Sequence, residues 1–202
     1  MLCAWGCSRG VCGGSLPLRV GGGKKGVVAG TCRVLFLDES GFGLWLPLAY
    51  SWTAAGTVRG VPRGGGRVGR VNVIGHLDWS ADGTHRIGFA VVSGSCQTEV
   101  VVRYLDKLAQ EGVRRGVQTV VYLDNASFHR SQAFRRCCER WLACGLRVRY
   151  LPCYSPHLNL METVWRRVKG GLMPRRYDAD VDSLRAAVVA GLKQLGGEEL
   201  KI

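Results

Sequence analysis

Three acidic residues in a basic chain have the types and spacing best suited to chemistry. Asp38 closes the apolar run VLFLD (34–38), and Asp124 closes the run VQTVVYLD (117–124). Both runs are of the kind that forms strands buried on two faces. Glu162 is the one carboxylate between Glu139 and Asp178, in a 38-residue stretch that is otherwise neutral or basic. Sites in open α/β sheets gather at the carboxyl ends of strands, so parallel neighbours ending in Asp38 and Asp124 would meet at one edge. Three carboxylates brought together repel, and without a cation at least one pKa should rise. A divalent metal removes that cost, and hard oxygen ligands suit Mg²⁺. Two such ions about 3.5–4 Å apart activate water and stabilise the leaving oxygen in phosphodiester cleavage.

The element that must deliver Glu162 lies in YLPCYSPHLNLMETVWRRVKGG (150–171). A loop bracketed by Pro152 and Pro156 interrupts both helix and ladder. A helix is predicted from about 159 to 170, with Gly170 and Gly171 as its stop. Leu158, Met161, Val164, Trp165 and Val168 recur at three- and four-residue steps and form its apolar face, which makes Trp165 a core residue. Arg166 at i+4 and Lys169 at i+7 place positive charge along the side that Glu162 occupies. Taken alone, Glu162 and Arg166 read as an ion pair on a solvated helix. The two strand-end aspartates turn the reading toward a site.

Order is expected to begin at Arg33, with strands at 34–38, 46–56 and 71–79 and an additional one at 85–94 after the turn Ser80–Gly83. A helix follows over 98–111 with Thr98 as N-cap, then a strand at 117–125. A helix over 131–144 should turn Phe134, Cys138, Trp141 and Leu142 inward, and a strand at 146–152 leads into the Glu162 segment. The last helix, 181–195, should bury Leu184, Val188, Leu192 and Leu195. Strands and helices in this order make an α/β domain. Residues 1–31 hold nine glycines with Cys3, Cys7 and Cys12 and no periodic apolar pattern, and they read as a disordered or non-native leader. The domain is then 32–202.

The chain of 202 residues, 47% hydrophobic, is long enough for one good core. Its net charge is +13; removing Arg9, Arg19, Lys24 and Lys25 of the leader leaves +9, so the basic balance belongs to the domain. A polyanion is the partner this implies, nucleic acid ahead of an anionic membrane surface. Arg59, Arg63, Arg67 and Arg70 lie among glycines in GTVRGVPRGGGRVGR (56–70), either a solvated hairpin tip or a flexible loop along a phosphate backbone. No apolar run reaches the ~20 residues that span a bilayer. Nine cysteines without a CxxC pair argue against structural zinc, and an odd count without a signal peptide points to reduced thiols in a cytosol.

VLFLDESGF, VVYLDNASFH and LPCYSPHLNLMETVWRRVK, in this order over roughly 33–172, resemble the three catalytic blocks of DDE transposases of the bacterial insertion-sequence branch of the mariner superfamily. The resemblance implies a ribonuclease H-like fold, a mixed sheet flanked by helices, with Asp38, Asp124 and Glu162 as catalytic residues and metal ligands. It implies two Mg²⁺ or Mn²⁺ ions, DNA cleavage at transposon ends and transfer of the 3′-hydroxyl into target DNA. The partners would be transposon-end and target DNA, with a homodimer in the DNA complex and a place on the bacterial nucleoid. Arg166 and Lys169 join the four loop arginines as DNA-contacting candidates. Asn125, His129 in its DNAxxH pattern, and Asn159 are supporting candidates, His129 either contacting DNA or orienting Asp124. Glu39 follows Asp38 in a strand, so its side chain faces away and it is expected outside the metal site. Leu160 stands where the family usually has proline, and the spacing of the last two acids, 162 − 124 = 38, is slightly wide. No helix-turn-helix module is recognisable before the domain. The alternatives are a nuclease of the same fold without transposition and an inactive remnant that binds DNA non-specifically.

Overall fold

The computed structural model describes residues 30–44, 54–57, 69–80, 82–126, 129, 131–152, 155–172, 178 and 180–202. Strand β1 (Cys32–Gly43) is followed by β2 (Arg70–Trp79), β3 (Arg86–Val92), helix α1 (Thr98–Arg115), β4 (Gln118–Leu123), α2 (Gln132–Ala143) and β5 (Leu146–Tyr150). Then come α3 (Leu160–Arg167), α4 (Val181–Gln194) and the short β6 (Gly197–Glu199). The six strands form one mixed sheet in the order β5-β4-β1-β2-β3-β6. β1, β2 and β3 are antiparallel neighbours, while β4 and β5 extend the sheet in parallel from β1. Beyond the other edge, β6 runs parallel to β3.

Both faces of the sheet are covered, because side chains of successive strand residues point to opposite sides. Leu35, Leu37, Ile74, Ala90, Val121 and Leu123 pack under α1 and α2, against Tyr104, Leu105, Leu108, Phe134 and Trp141. Val71, Val73, Leu77, Ile87 and Phe89 pack under α3 and α4, against Met161, Val164, Trp165, Leu184, Val188 and Leu192. Most of the residues read from three- and four-residue steps are buried, while Leu158 and Leu195 are only partly so. At the centre of the first layer, Tyr104 donates from its hydroxyl to the Gly88 carbonyl at 3.0 Å and accepts from His76 Nδ1 at 2.8 Å. Burial carries the His76 pKa down to about 3, so the ring is neutral. Arg33 anchors the start of β1 on Asp78 (3.0 Å) and Glu111 (3.2 Å).

Several expectations change. Most of the predicted strand 46–56 lies outside the described residues, and Ala54–Thr57 form a turn closed by the Thr57 N–H on the Ala54 carbonyl. Among the described strands β2 lies directly beside β1, and β3, the strand expected at 85–94, pairs with β2. α1 begins at Thr98 itself with Gln97 in the cap position, and no side chain caps it. Its end is marked by Gly116, in the left-handed region at φ 63°, which glycine reaches without strain. Leu142 is 39% exposed, because the inward stripe of α2 runs through Phe134 and Trp141 and one more residue turns away from it. Of the leader only Gly30 and Thr31 are among the described residues.

Candidate active site

Asp38 lies inside β1 rather than at its end, because β1 continues to Gly43 along β2. β4 is shorter, and its parallel pairing with β1 runs from Cys32 and Gln118 to Phe36 and Tyr122. Two residues further along each chain are Asp38 and Asp124, at the same level of the sheet. The rings of Phe36 and Tyr122, stacked at 5.4 Å between centroids, mark the face shared by these alternate positions. On the other side Asp38 is opposite Gly75 of β2, on which α3 rests. A Cβ at Gly75 would stand 2.7 Å from Met161 Cε and 3.0 Å from Trp165, so any larger residue there makes the Met161 tip and the Trp165 ring shift. Met161 immediately precedes Glu162, which this packing brings to the face of Asp38.

Asn159 fixes where α3 begins. It is buried, accepts at Oδ1 from the Met161 N–H (3.2 Å) and donates from Nδ2 to the Leu37 carbonyl (3.2 Å), one residue before Asp38. The cap that starts the Glu162 helix is thus bonded to the strand that carries Asp38. Asn125 does the same for the following loop by donating to the Leu151 carbonyl at 2.5 Å. Beyond Arg167 the backbone widens into a π-type turn over Val168–Leu172, which keeps Val168 buried and carries Lys169.

The electrostatics join the three acids. Burial, then the neighbouring Glu39, Asp124 and Glu162 carboxylates, push the Asp38 pKa up to about 7, against a backbone hydrogen bond that opposes the rise. Asp124 is held below the usual carboxylate range, first by the hydrogen bond from His129 and further by the Ala126 N–H, with burial opposing. His129 is fully buried, and Nδ1 stands 2.8 Å from Asp124 Oδ1 and Nε2 3.1 Å from Glu39 Oε1. Burial disfavours its charge, but bonds to Asp124 and Glu39 and the proximity of both carboxylates carry its pKa up to about 9. The imidazolium therefore donates from both nitrogens at neutral pH.

Of the basic candidates, Arg59, Arg63 and Arg67 lie outside the described residues. Arg70 and Lys169 converge beside the acids. Lys169 is held below the usual lysine range by burial and by Arg70, while Glu162 and Asp38 pull the other way. Its ammonium lies 5.2 Å from the centre of the Phe42 ring. Arg166 is exposed, and no ion pair joins it to Glu162 among the described residues. The i,i+4 pair that would have explained Glu162 blandly is not formed.

Carboxylate oxygens are the donor set that Mg²⁺ or Mn²⁺ prefers, and a cation would relieve the carboxylate repulsion that adds to burial in raising the Asp38 pKa. Among the described residues no three His, Cys, Asp or Glu side chains stand close enough to hold an ion as they are. The fit is one of chemistry and placement, and closing around an ion needs side-chain movement. Glu39 is the residue that sequence reasoning left out. Alternation along β1 correctly turns it away from Asp38, and the sequence carries no signal that His129 waits on that other face.

The family of DDE superfamily endonucleases matches residues 33–185. No curated protein sequence matches the chain. Solved structures with the same fold include the Mos1 transposase paired-end complex with the left transposon end, 14% identical with a TM-score of 0.57, over 96% of this chain and 63% of that one. The Mos1 mariner paired-end complex with Mn is 14% identical with a TM-score of 0.59, over 97% and 64%. The Mos1 strand transfer complex is 14% identical with a TM-score of 0.51, over 96% and 63%. The chain thus spans under two thirds of the length of these relatives, and at this identity the likeness shows the ribonuclease H-like fold. With the family's sequence pattern running over 33–185, the chain belongs to the DDE superfamily endonucleases.

Proposed function

We propose that residues 32–202 are the catalytic domain of a transposase that cleaves DNA at insertion-sequence ends and joins the freed 3′-hydroxyl to target DNA. The observation that supports this best is the convergence of Asp38, Asp124 and Glu162 from three elements, with Asp124 and Glu162 adding to burial and Glu39 in raising the Asp38 pKa. In this reading Asp38 and Asp124 hold divalent metal and Glu162 completes the second of two ions. When bound, Mg²⁺ or Mn²⁺ supplies Lewis-acid stabilisation of phosphate oxygens and a nucleophile at neutral pH. Asn159 keeps Glu162 in register with Asp38, and Asn125 ties the turn after Asp124 to the Leu151 carbonyl just past β5. Arg70, Lys169 and Arg166 neutralise backbone phosphates beside the acids, with Arg59, Arg63 and Arg67 in the same role. Such contacts position DNA and read little sequence.

The partners are transposon-end and target DNA, engaged as a homodimer, in the bacterial cytoplasm on the nucleoid. Among the described residues no helix is long and apolar enough to cross a membrane. The experiment incubates the chain with supercoiled plasmid and a labelled insertion-end duplex, with Mn²⁺ or with EDTA. Joined label-plasmid product only with metal is the expected result. Metal-dependent nicking without joining would replace transposase by nuclease, and no metal-dependent cleavage at all would contradict the enzymatic reading.

A further inference from the structure

β1 presents two consecutive acids to opposite faces of the sheet. Asp38 faces the α3 layer, while Glu39 faces the α1–α2 layer together with Leu35 and Leu37. Glu39 ends against His129, whose other ring nitrogen meets Asp124, so one imidazole links a β1 carboxylate to the turn after β4. His129 is clamped. Its ring packs on Phe134 at 6.0 Å between centroids, its backbone N–H donates to the Ala126 carbonyl at 3.0 Å, and the Tyr150 hydroxyl donates to its backbone carbonyl at 2.6 Å. Asp124 Oδ1 takes both the His129 ring nitrogen and the Ala126 N–H (3.0 Å), which fixes the carboxylate plane and leaves Oδ2 for a cation.

We propose that Glu39 and His129 are a positioning pair for Asp124: β1 supplies one metal ligand from one face and, from its other face, the residue that orients the second. This rests on the metal-centre reading of Asp38, Asp124 and Glu162. An ordinary buried ion pair would stabilise the fold and leave metal affinity alone, whereas a positioning pair sets how well Asp124 meets the ion. Reach matters more than charge in this arrangement. Glu39→Gln keeps an acceptor oxygen at the same distance from His129 Nε2, while Glu39→Asp keeps the charge and withdraws the oxygen by one methylene.

The test is Mn²⁺ binding by the whole chain, read from the electron paramagnetic resonance of free Mn²⁺, with circular dichroism to confirm folding. Glu39→Ala and Glu39→Asp should each raise the half-saturating Mn²⁺ concentration by about 10–100-fold, the usual effect of losing a partner that orients a ligand. Glu39→Gln should recover most of this, to within about threefold of the parent. Adding Glu39→Ala to His129→Ala should weaken binding no further than His129→Ala alone, because the two act as one unit. Parent-like binding by Glu39→Ala, or better recovery by Asp than by Gln, would overturn the proposal. Should Glu39→Ala fail to fold, the order of Gln and Asp decides alone. Asp38→Asn in the same titration separates the two levels. If it binds as the parent does, the metal centre itself is wrong; if it loses Mn²⁺ while Glu39→Ala does not, only the positioning pair falls.

Discussion

Asp38 holds its proton to about pH 7 in the folded chain, against 3.8 for an ordinary aspartate, because it is buried and then because three other acids surround it. Between those values the folded chain keeps a proton that the unfolded chain has released. Stability should therefore fall as pH rises across that window, with the whole loss present above pH 7. Removing the charge removes the penalty. Asp38→Asn in EDTA at pH 8 should melt higher than the parent by about 1 kcal/mol or more, at roughly 2–4 °C per kcal/mol for a chain of this size. At pH 4 the two should coincide. A lower midpoint for the variant at pH 8 would show that the Asp38 carboxylate is stabilised where it sits. Mg²⁺ should act in the same direction on the parent, raising its midpoint more at pH 8 than at pH 5, where protons compete for Asp38.

At the scale of elements, the site depends on how α3 is seated. Gly75→Ala would press a methyl against Met161 and Trp165, the side chains that seat the helix on β2. Overpacking of this kind costs about 1–3 kcal/mol, and because Glu162 rides between those two residues, cleavage should fall further than stability does. Circular dichroism melts and nicking rates on the same preparations test this; a stability loss with undiminished cleavage would detach Glu162 from the packing. Asn159→Ala removes a cap and a bond to the Leu37 carbonyl together, worth about 1–2 kcal/mol. The elements behind these predictions were largely legible in the sequence. VLFLD and VVYLD read as strands because burial on both faces leaves a continuous apolar run, and the Glu162 helix read from its stripe. The link between Glu39 and His129 was not legible, since it joins positions 90 residues apart through the geometry of a turn. β6 was equally hidden. Its sequence, GEE, has no apolar alternation, and it is placed by backbone pairing with β3 and by the Leu200 N–H on the Phe89 carbonyl at 2.6 Å.

For the whole molecule, a net charge of +13 sets the chain as a whole against the three acids of the proposed site. In the function proposed above, the basic residues draw in the phosphate backbone and Asp38, Asp124 and Glu162 take the metal. Replacing Arg70, Arg166 and Lys169 together by Gln should weaken duplex binding for every sequence alike. It should also flatten log K against log[salt] by up to about 2.7, three contacts at about 0.9 each. Fluorescent duplex titrations at several salt concentrations measure the slope, and an unchanged slope would move the DNA path away from α3. The central claim is that Asp38, Asp124 and Glu162 form one metal centre. Its most direct measurement is the Mn²⁺-dependent cleavage rate of Asp38→Asn, Asp124→Asn and Glu162→Gln beside the parent, each checked for folding. Loss of several kcal/mol of transition-state stabilisation, at 1.36 kcal/mol per tenfold, should slow every variant by at least about a thousandfold. A folded variant of any of the three that cuts near the parent rate would contradict the account.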